Sequence, residues 1–348
     1  MERPHAGRQR GGQRGLSAQR RGSQPQHHRA RGGRQVRAAL LLAAVLFAAP
    51  RAHAEAGRSA AAFLKRALGA RAAAMGGAGT ALVDPGPGAP QFNPGGLARV
   101  ARPSLTSAYL NGYGGVTHGY AAYAHPLPYG VLGTGLLYFN AGDIGLNLSD
   151  GTKRTVTSEE DLAWTLSYAV PLPFGVSVGG SYRFLRMELA ETASAVSHQG
   201  DAGALWRTPV KGLSLGAALQ YWGPDIVFEE AGDPPPKTFR YGAALRLPDI
   251  DAAKVDPTVD LAAFDMTVAG DVVQTVFESP YQRLGVELGL TPSLMSRIAL
   301  RFGWVFNRFA EGFTLGAGFK TGRYTFDFGH GDTKTMKGLT SASFTVEF

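Results

Sequence analysis

The run Ala342-Ser-Phe-Thr-Val-Glu-Phe348 closes the chain with a strict alternation: Ala342, Phe344, Val346 and Phe348 fall on one side, Ser343, Thr345 and Glu347 on the other. A period of two marks a strand with one apolar and one polar face. The pattern recurs upstream, where Tyr324, Phe326 and Phe328 alternate with Thr325, Asp327 and Gly329, and Phe313, Leu315, Ala317 and Phe319 with Thr314, Gly316, Gly318 and Lys320. So many one-sided strands need a second apolar layer, and the sequence supplies none. Lipid satisfies the requirement, and the expected fold class is all-β, a transmembrane antiparallel β-barrel.

Turn residues divide the chain from residue 103 onward into fourteen strands, expected near 103–112, 116–126, 130–141, 161–171, 175–188, 199–208, 212–221, 237–247, 258–273, 281–291, 296–307, 312–321, 323–330 and 339–348. Connections two, four, six, ten and twelve are short and rich in Pro and Gly, as in Pro126-Leu-Pro-Tyr-Gly130 and Pro171-Leu-Pro-Phe-Gly175. Both residue types suit tight turns. Connections three, five and seven (142–160, 188–198 and 222–236) are long and polar. An even count with alternating short and long connections is the layout of bacterial outer-membrane barrels. Connection eight, 248–257, departs from it by being long.

The pleat then assigns faces. Ile298, Leu300, Phe302, Trp304 and Phe306 should meet lipid, as should Phe239, Tyr241, Ala243 and Leu245. A charge facing lipid near the bilayer midplane costs about 2–4 kcal/mol. The lumen is therefore expected to hold Arg240, Arg246, Arg283, Glu287, Arg297, Arg301, Lys320, Asp327 and Glu347. Mixed signs in a narrow barrel favour paired charges filling the interior over a charged pore lining.

The amino-terminal region reads differently. Residues 1–37 carry ten arginines and few apolar side chains, which predicts a disordered basic leader. The apolar run 38–49 follows, preceded by Arg34 and Arg37 and trailed by Ala52-His-Ala54, the pattern of a secretory signal cut after Ala54. Eleven of the 35 Lys and Arg and one of the 27 Asp and Glu lie in 1–54, leaving 24 basic against 26 acidic. The sequence pI near 9.7 therefore belongs to the leader, and a nucleic-acid partner is not implied. Cysteine is absent, which excludes disulfides and thiolate sites.

Residues 55–102 are not strand-like and should form a plug inside the barrel mouth. Their core is Gly69-Ala-Arg-Ala-Ala-Ala-Met-Gly-Gly-Ala-Gly79 and Phe92-Asn-Pro-Gly-Gly-Leu-Ala98. Gly77-Ala-Gly79 lacks the third glycine and the preceding strand of a nucleotide loop. The histidines His118, His125, His198 and His330 have no metal-ligand spacing and read as scattered loop residues. Asp143, Asp150, Glu159, Glu160 and Asp161 could hold calcium, though a hydrated acidic loop is the simpler reading. Neither an enzyme nor a cofactor is expected.

The two quoted runs, the paired Pro-Leu-Pro-aromatic-Gly turns and Arg283-Leu-Gly-Val-Glu287 resemble the PorV/PorQ family of outer-membrane proteins, relatives of the FadL-type transporters. The chain departs from the family's Asn-Pro-Ala-Gly-Leu at Gly95. The resemblance implies a fourteen-stranded barrel with an internal hatch whose motif here is Gly69, Arg71, Met75, Gly76, Gly77, Gly79, Asn93, Pro94, Gly96 and Leu97. It further implies a partner in type IX-like protein secretion or surface attachment, with loops such as 142–160 and 222–236 docking exported proteins. The FadL-type alternative is a transporter of hydrophobic molecules. Phe344, Val346 and Phe348 are the expected signal for the barrel-insertion machinery.

Overall fold

A computed structural model describes residues 59–149, 151–247, 263–293, 295–308, 311–332 and 338–348. The expected leader and its cut site after Ala54, and connection eight, lie outside the described residues. Fourteen strands form one closed antiparallel barrel. They are β1 (Ser104–Asn111), β2 (Thr117–Leu127), β3 (Gly130–Asn140), β4 (Glu159–Pro171), β5 (Val176–Leu189), β6 (Ala193–Arg207) and β7 (Leu213–Trp222). The second half comprises β8 (Thr238–Arg246), β9 (Ala263–Thr275), β10 (Tyr281–Ser293), β11 (Ser296–Phe306), β12 (Phe313–Thr321), β13 (Tyr324–Gly331) and β14 (Leu339–Glu347). Each strand pairs with its sequence neighbours, and β14 closes on β1 in register from Ser104 opposite Glu347 to Asn111 opposite Thr340.

The expected alternation of faces holds. Ile298, Leu300, Phe302, Trp304 and Phe306 are each 41–45% exposed on the outer surface, while Ala299, Arg301 and Val305 between them are buried. On β8 Phe239 is exposed, but Ala243 and Leu245 on the same pleat are buried.

Three expectations about connections change. Connection five is a tight turn, because β6 begins at Ala193 rather than near residue 199; the last pair, Leu189 and Ala193, leaves three residues between them, of which Ala190 and Glu191 take positive φ (48° and 57°) and Thr192 N donates back to Leu189 O (3.0 Å). Connection three carries its own hairpin, Asp143–Asn147 paired with Lys153–Thr157. In connection seven Ile226–Val227 pairs with Gly232–Asp233, and Ile226 is buried in the barrel mouth with Phe228 packed beside it. Ile226 anchors the loop, while Trp222, Val227 and residues 229–233 remain exposed.

The described part of the plug passes inside the barrel as short pieces: the 3-10 turns Ala62–Lys65, Gly86–Gln91 and Pro94–Arg99, and a single helical turn, α1 (Ala70–Ala74). Its alanines and glycines let its backbone lie directly on the wall. The wall answers with glycine. A Cβ on Gly179 would meet Pro94 O and on Gly203 Asn93 Oδ1; on Gly216 it would meet Thr80 O and on Gly303 Gly76 N. Gly95 is required for the same reason, since its Cβ would meet Gly203 O at 2.9 Å. The alanine usual at that position in the resembled family does not fit this wall. Asn93 caps the turn Pro94–Arg99 by accepting from Gly95 N (3.0 Å). Its amide donates to Thr80 O and Ala204 O, both at 2.8 Å, tying plug to plug and plug to wall.

Adjacent residues on opposite faces test this packing. Gly179→Val overpacks the plug side, at a cost of about 1–3 kcal/mol, whereas Gly180→Val places the same side chain on the lipid face, where only Asp201 O lies within 3.5 Å. The chain has no cysteine, so Ala89→Cys, buried in the plug, reports displacement by maleimide labelling. Labelling should accelerate with Gly179→Val and stay unchanged with Gly180→Val; equal rates would contradict the assigned contact.

Candidate functional site: the plugged lumen

The inner faces of β8 to β13 carry charge, and the plug is bound into it. Glu287 on β10 is 1% exposed and accepts four charged donors. Arg71 Nε reaches Oε2 at 2.8 Å and Arg71 Nη2 reaches Oε1 at 3.1 Å. Arg301 Nε reaches Oε2 at 2.6 Å and Arg297 Nη2 reaches Oε1 at 3.1 Å. An ionised carboxylate has about four acceptor sites, and all are used. Arg301 continues to Asp327 (2.7 Å) and Arg297 to Asp265 (2.6 Å). Arg71 also donates to Asp84 O (2.8 Å). Burial opposes the Arg71 charge, but Asp84 and Glu287 outweigh it and hold the guanidinium protonated well beyond its ordinary range. Arginine suits this junction because its planar fork serves several carboxylates at once.

A second anchor explains the glycine-rich plug loop. Asp271 on β9 is fully buried. Its Oδ2 accepts from Gly79 N (2.9 Å), Thr80 N (3.0 Å), Thr80 Oγ1 (2.7 Å) and Arg240 Nη2 (3.2 Å). The same Arg240 nitrogen donates to Gly77 O (3.0 Å). Successive backbone N–H groups form a concavity suited to an anion, and here the anion is the barrel's own carboxylate. On the opposite wall Arg183 pairs with Asp201 (2.8 Å), which also accepts from Tyr221 N (2.7 Å).

The long-connection end holds a third group. Lys65 meets Glu278 (2.6 Å), while Arg66, Arg283 and Arg308 converge on Glu311 at 4.0, 3.5 and 3.4 Å. The Tyr281 ring lies between the Arg283 and Arg308 guanidiniums, 5.2 and 4.5 Å from its centroid. Burial pushes the Glu311 carboxyl up, but Arg283, Arg308 and Arg66 together bring it below the usual carboxylate range.

The other side of the lumen at this end is apolar. Phe63 and Leu64 of the plug pack against Leu137, Phe139, Leu185 and Met187, with Ile226 above. The Phe63 and Phe139 rings stack at 5.3 Å and 11°. His118 is buried beside Phe139, with 4.8 Å between ring centroids. Two spaces lie lower down. One of about 250 Å³ runs between the plug and β11 to β14 with β1, with Arg71, Asp84, Arg297, Arg301, Asp327, Lys320 and Glu347 in its lining; one of about 20 Å³ lies beneath Leu137.

Of the residues expected to face the lumen, Arg240, Arg283, Glu287 and Arg301 are buried inside. Arg297 and Asp327 join the Glu287 network, and Lys320 pairs with Glu347 (2.6 Å) toward the rim. Arg246 is the exception: it is the last residue of β8 and is exposed at the rim. The hatch motif divides by role. Arg71 and Gly77 to Thr80 bind wall charges, Gly76 lies against β11 and Asn93 and Pro94 against β6; Met75 and Leu97 are fully buried, and Gly69 takes φ 87° ahead of α1. Gly96 packs against Pro85 within the plug. Phe344 lies 4.7 Å from Phe326 on the outer surface, Val346 pairs with Leu105, and Phe348 is exposed.

The described histidines lie on strands, not loops. Among the described residues no group of three or more His, Asp or Glu could hold a metal ion, and Asp161 is buried in the lumen rather than in the acidic loop; Asp150 lies outside the described residues. Sequence reading missed Asp265, Asp271, Arg183 and Asp201. All occupy inward positions of their strands, so the parity that found Arg301 could have found them.

No protein-family model matches the sequence, and comparison with curated protein sequences returns no match. Solved structures do match. CymD, described as a monoaromatic hydrocarbon channel, aligns at TM-score 0.52 and 13% identity over 81% of this chain and 97% of that one. The Pseudomonas putida toluene transporter TodX aligns at 0.51 and 9% over 80% and 96%. A Pseudomonas aeruginosa FadL homologue covers 81% and 99% at 12% identity, with a score of 0.47 too low to carry weight. The likeness is of fold alone: a closed fourteen-stranded antiparallel barrel like those of these outer-membrane proteins. It does not bear out the PorV/PorQ assignment or a secretion role.

Two measurements test the charge clusters. Glu287→Ala leaves Arg71 and Arg301 without their shared partner, and breaking a buried pair from one side costs about 3–5 kcal/mol; the urea midpoint of the detergent-folded barrel should fall accordingly. For Glu311, whose carboxyl is held below its unfolded value, the stabilisation is complete at neutral pH and disappears as pH falls through that depressed value. Midpoints measured between pH 6 and pH 3 should decline more steeply for the unaltered chain than for Glu311→Gln.

Proposed function

We propose that this chain is an outer-membrane channel for small hydrophobic molecules, kept shut by its plug. The observation that carries the reading is the apolar cluster at the long-connection end, where the plug's Phe63 and Leu64 fill the space walled by Leu137, Phe139, Leu185 and Met187, with Phe63 stacked on Phe139. Aromatic and aliphatic walls closed around a plug ring would suit an apolar solute once that ring is withdrawn. The fold likeness to proteins described as a monoaromatic hydrocarbon channel and a toluene transporter favours the same class. With both barrel termini and the short turns at one end, that end faces the periplasm and the apolar cluster lies toward the outside. The role of Phe344, Val346 and Phe348 in insertion, and export by a cleaved leader, belong to this same proposal. Secretion docking is the weaker reading because neither of the two solved structures of like fold is described as a secretion component.

Toluene uptake tests the proposal in intact Gram-negative cells lacking a hydrocarbon channel, where the lipopolysaccharide leaflet slows entry by diffusion. Radiolabelled toluene should enter faster with this chain than with empty vector, and identical rates would remove the assignment.

A further inference from the structure

Resting on that reading, we infer that the solute taken in place of Phe63 is an aromatic ring bearing a neutral hydrogen-bonding group, a phenol rather than a bare hydrocarbon, and that His118 recognises that group. The packed cluster around Phe63 and Leu64 is apolar in its filling. Its wall is not wholly so. Inward positions of β2 and β6 carry His118, Ser197 and Gln199, each 2–3% exposed. Neither ring nitrogen of His118 has a hydrogen-bond partner among the described residues, nor has Ser197 Oγ, nor either amide atom of Gln199. A buried polar group left in this state costs about 1–3 kcal/mol, and native interiors keep few of them.

The register of the strands places these groups. His118 on β2 stands opposite Phe139 on β3, with 4.8 Å between their ring centroids, and Phe63 stacks on the same Phe139 ring at 5.3 Å. A ring seated where Phe63 sits has the imidazole one aromatic side chain away, within reach of a substituent. Ser197 on β6 stands opposite Leu185, a member of the cluster, and Gln199 is the next inward residue of the same strand. Asp161, on the other side of Phe139, has Glu159 as its hydrogen-bond partner.

The three side chains select the substituent. A neutral imidazole offers one donor and one acceptor, and a hydroxyl or a primary amide also offers both. The guanidiniums nearby are taken, Arg183 by Asp201 and Arg66 by Glu311. An ionised solute would therefore lose its water without gaining a counter-charge, whereas a phenolic hydroxyl can donate to one of these groups and accept from another. Toluene would leave all five atoms as Phe63 leaves them. The resting plug fills the site with a ring that matches its shape and none of its hydrogen bonds, which favours exchange for a ring that matches both.

Phe63→Ala in the purified, detergent-folded barrel vacates the ring, and an apolar cavity of that kind admits a single ring. Binding of p-cresol and of toluene to this variant, each measured by equilibrium dialysis against barrel-free micelles, gives a ratio of affinities. Adding His118→Phe should lower the p-cresol to toluene ratio about three- to tenfold, the increment of one net hydrogen bond. His118→Phe alone removes groups that have no partner, so its urea midpoint should equal or exceed that of the unaltered chain. Should Phe63→Ala not fold, uptake by intact cells decides. The ratio of p-cresol to toluene uptake, each above the empty-vector rate, should fall by the same factor with His118→Phe and hold with His125→Phe, an exposed ring bonded to Tyr123 (2.9 Å). Binding of neither ligand, an unchanged ratio, or a lowered midpoint for His118→Phe, which would reveal a structural partner such as bound water, overturns the assignment. Toluene uptake no greater than from empty vector removes the channel reading instead, and the binding preference then stands or falls on its own measurement.

Discussion

The structure depends on the pairing of its first and last strands. In hydrocarbon an unpaired strand edge leaves a row of backbone groups with no water to satisfy them, so a spanning sheet must close. Here Ser104 to Asn111 meets Glu347 to Thr340 without a bulge. The final residues are held from both sides, Glu347 N donating to Arg323 O (2.9 Å) and Phe348 N to Pro103 O (2.8 Å). Once closed, the sheet has an outside that lipid solvates and an inside that protein has to fill.

Two unlike solutions fill it. From β8 to β13 the filling is ionic, with Arg71 brought by the plug into the centre of a network based on Glu287. Buried ion pairs are weak sources of stability because each charge has first lost its water. Their effect here is positional: one arginine satisfies Glu287 and Asp84 at once only with the plug in one place. From β2 to β7 the filling is mixed: Phe63 and Leu64 pack against Leu137 and Leu185, while neutral hydrogen bonds tie the plug to the wall, Tyr221 Oη to Leu64 O and Asn93 Nδ2 to Ala204 O, both at 2.8 Å. The plug is thus held by charge on one side and by packing with neutral hydrogen bonds on the other.

Much of the barrel was legible from its period of two, because lipid on one face and protein on the other impose opposite demands on neighbouring residues. Trp304 and Arg301 needed no further information. The limits arose where another part of the chain decided the outcome. Arg246 follows the inward parity of Arg240, yet it is the last residue of β8 and is exposed at the rim. Connection seven has the composition of a surface loop and is mostly exposed, but its Ile226 joins the packed cluster around Phe63. The wall glycines read as bends or crowding; that Gly179 and Gly203 are seats for Pro94 and Asn93 could be known only with plug and wall together.

The same distinction bears on what the recognisable motifs signify. Gly77-Ala-Gly79-Thr80 wraps Asp271, Asn93-Pro94 rests on β6, and Arg71 joins Glu287 to Asp84. Each of these residues fixes the plug to the barrel, and none belongs to the apolar cluster around Phe63. Such motifs describe how a plug is held in a barrel. Where plug and wall meet by packing alone, as at Phe63 against Phe139, no motif is needed, because such a position asks only for a side chain of suitable size and several residue types would serve.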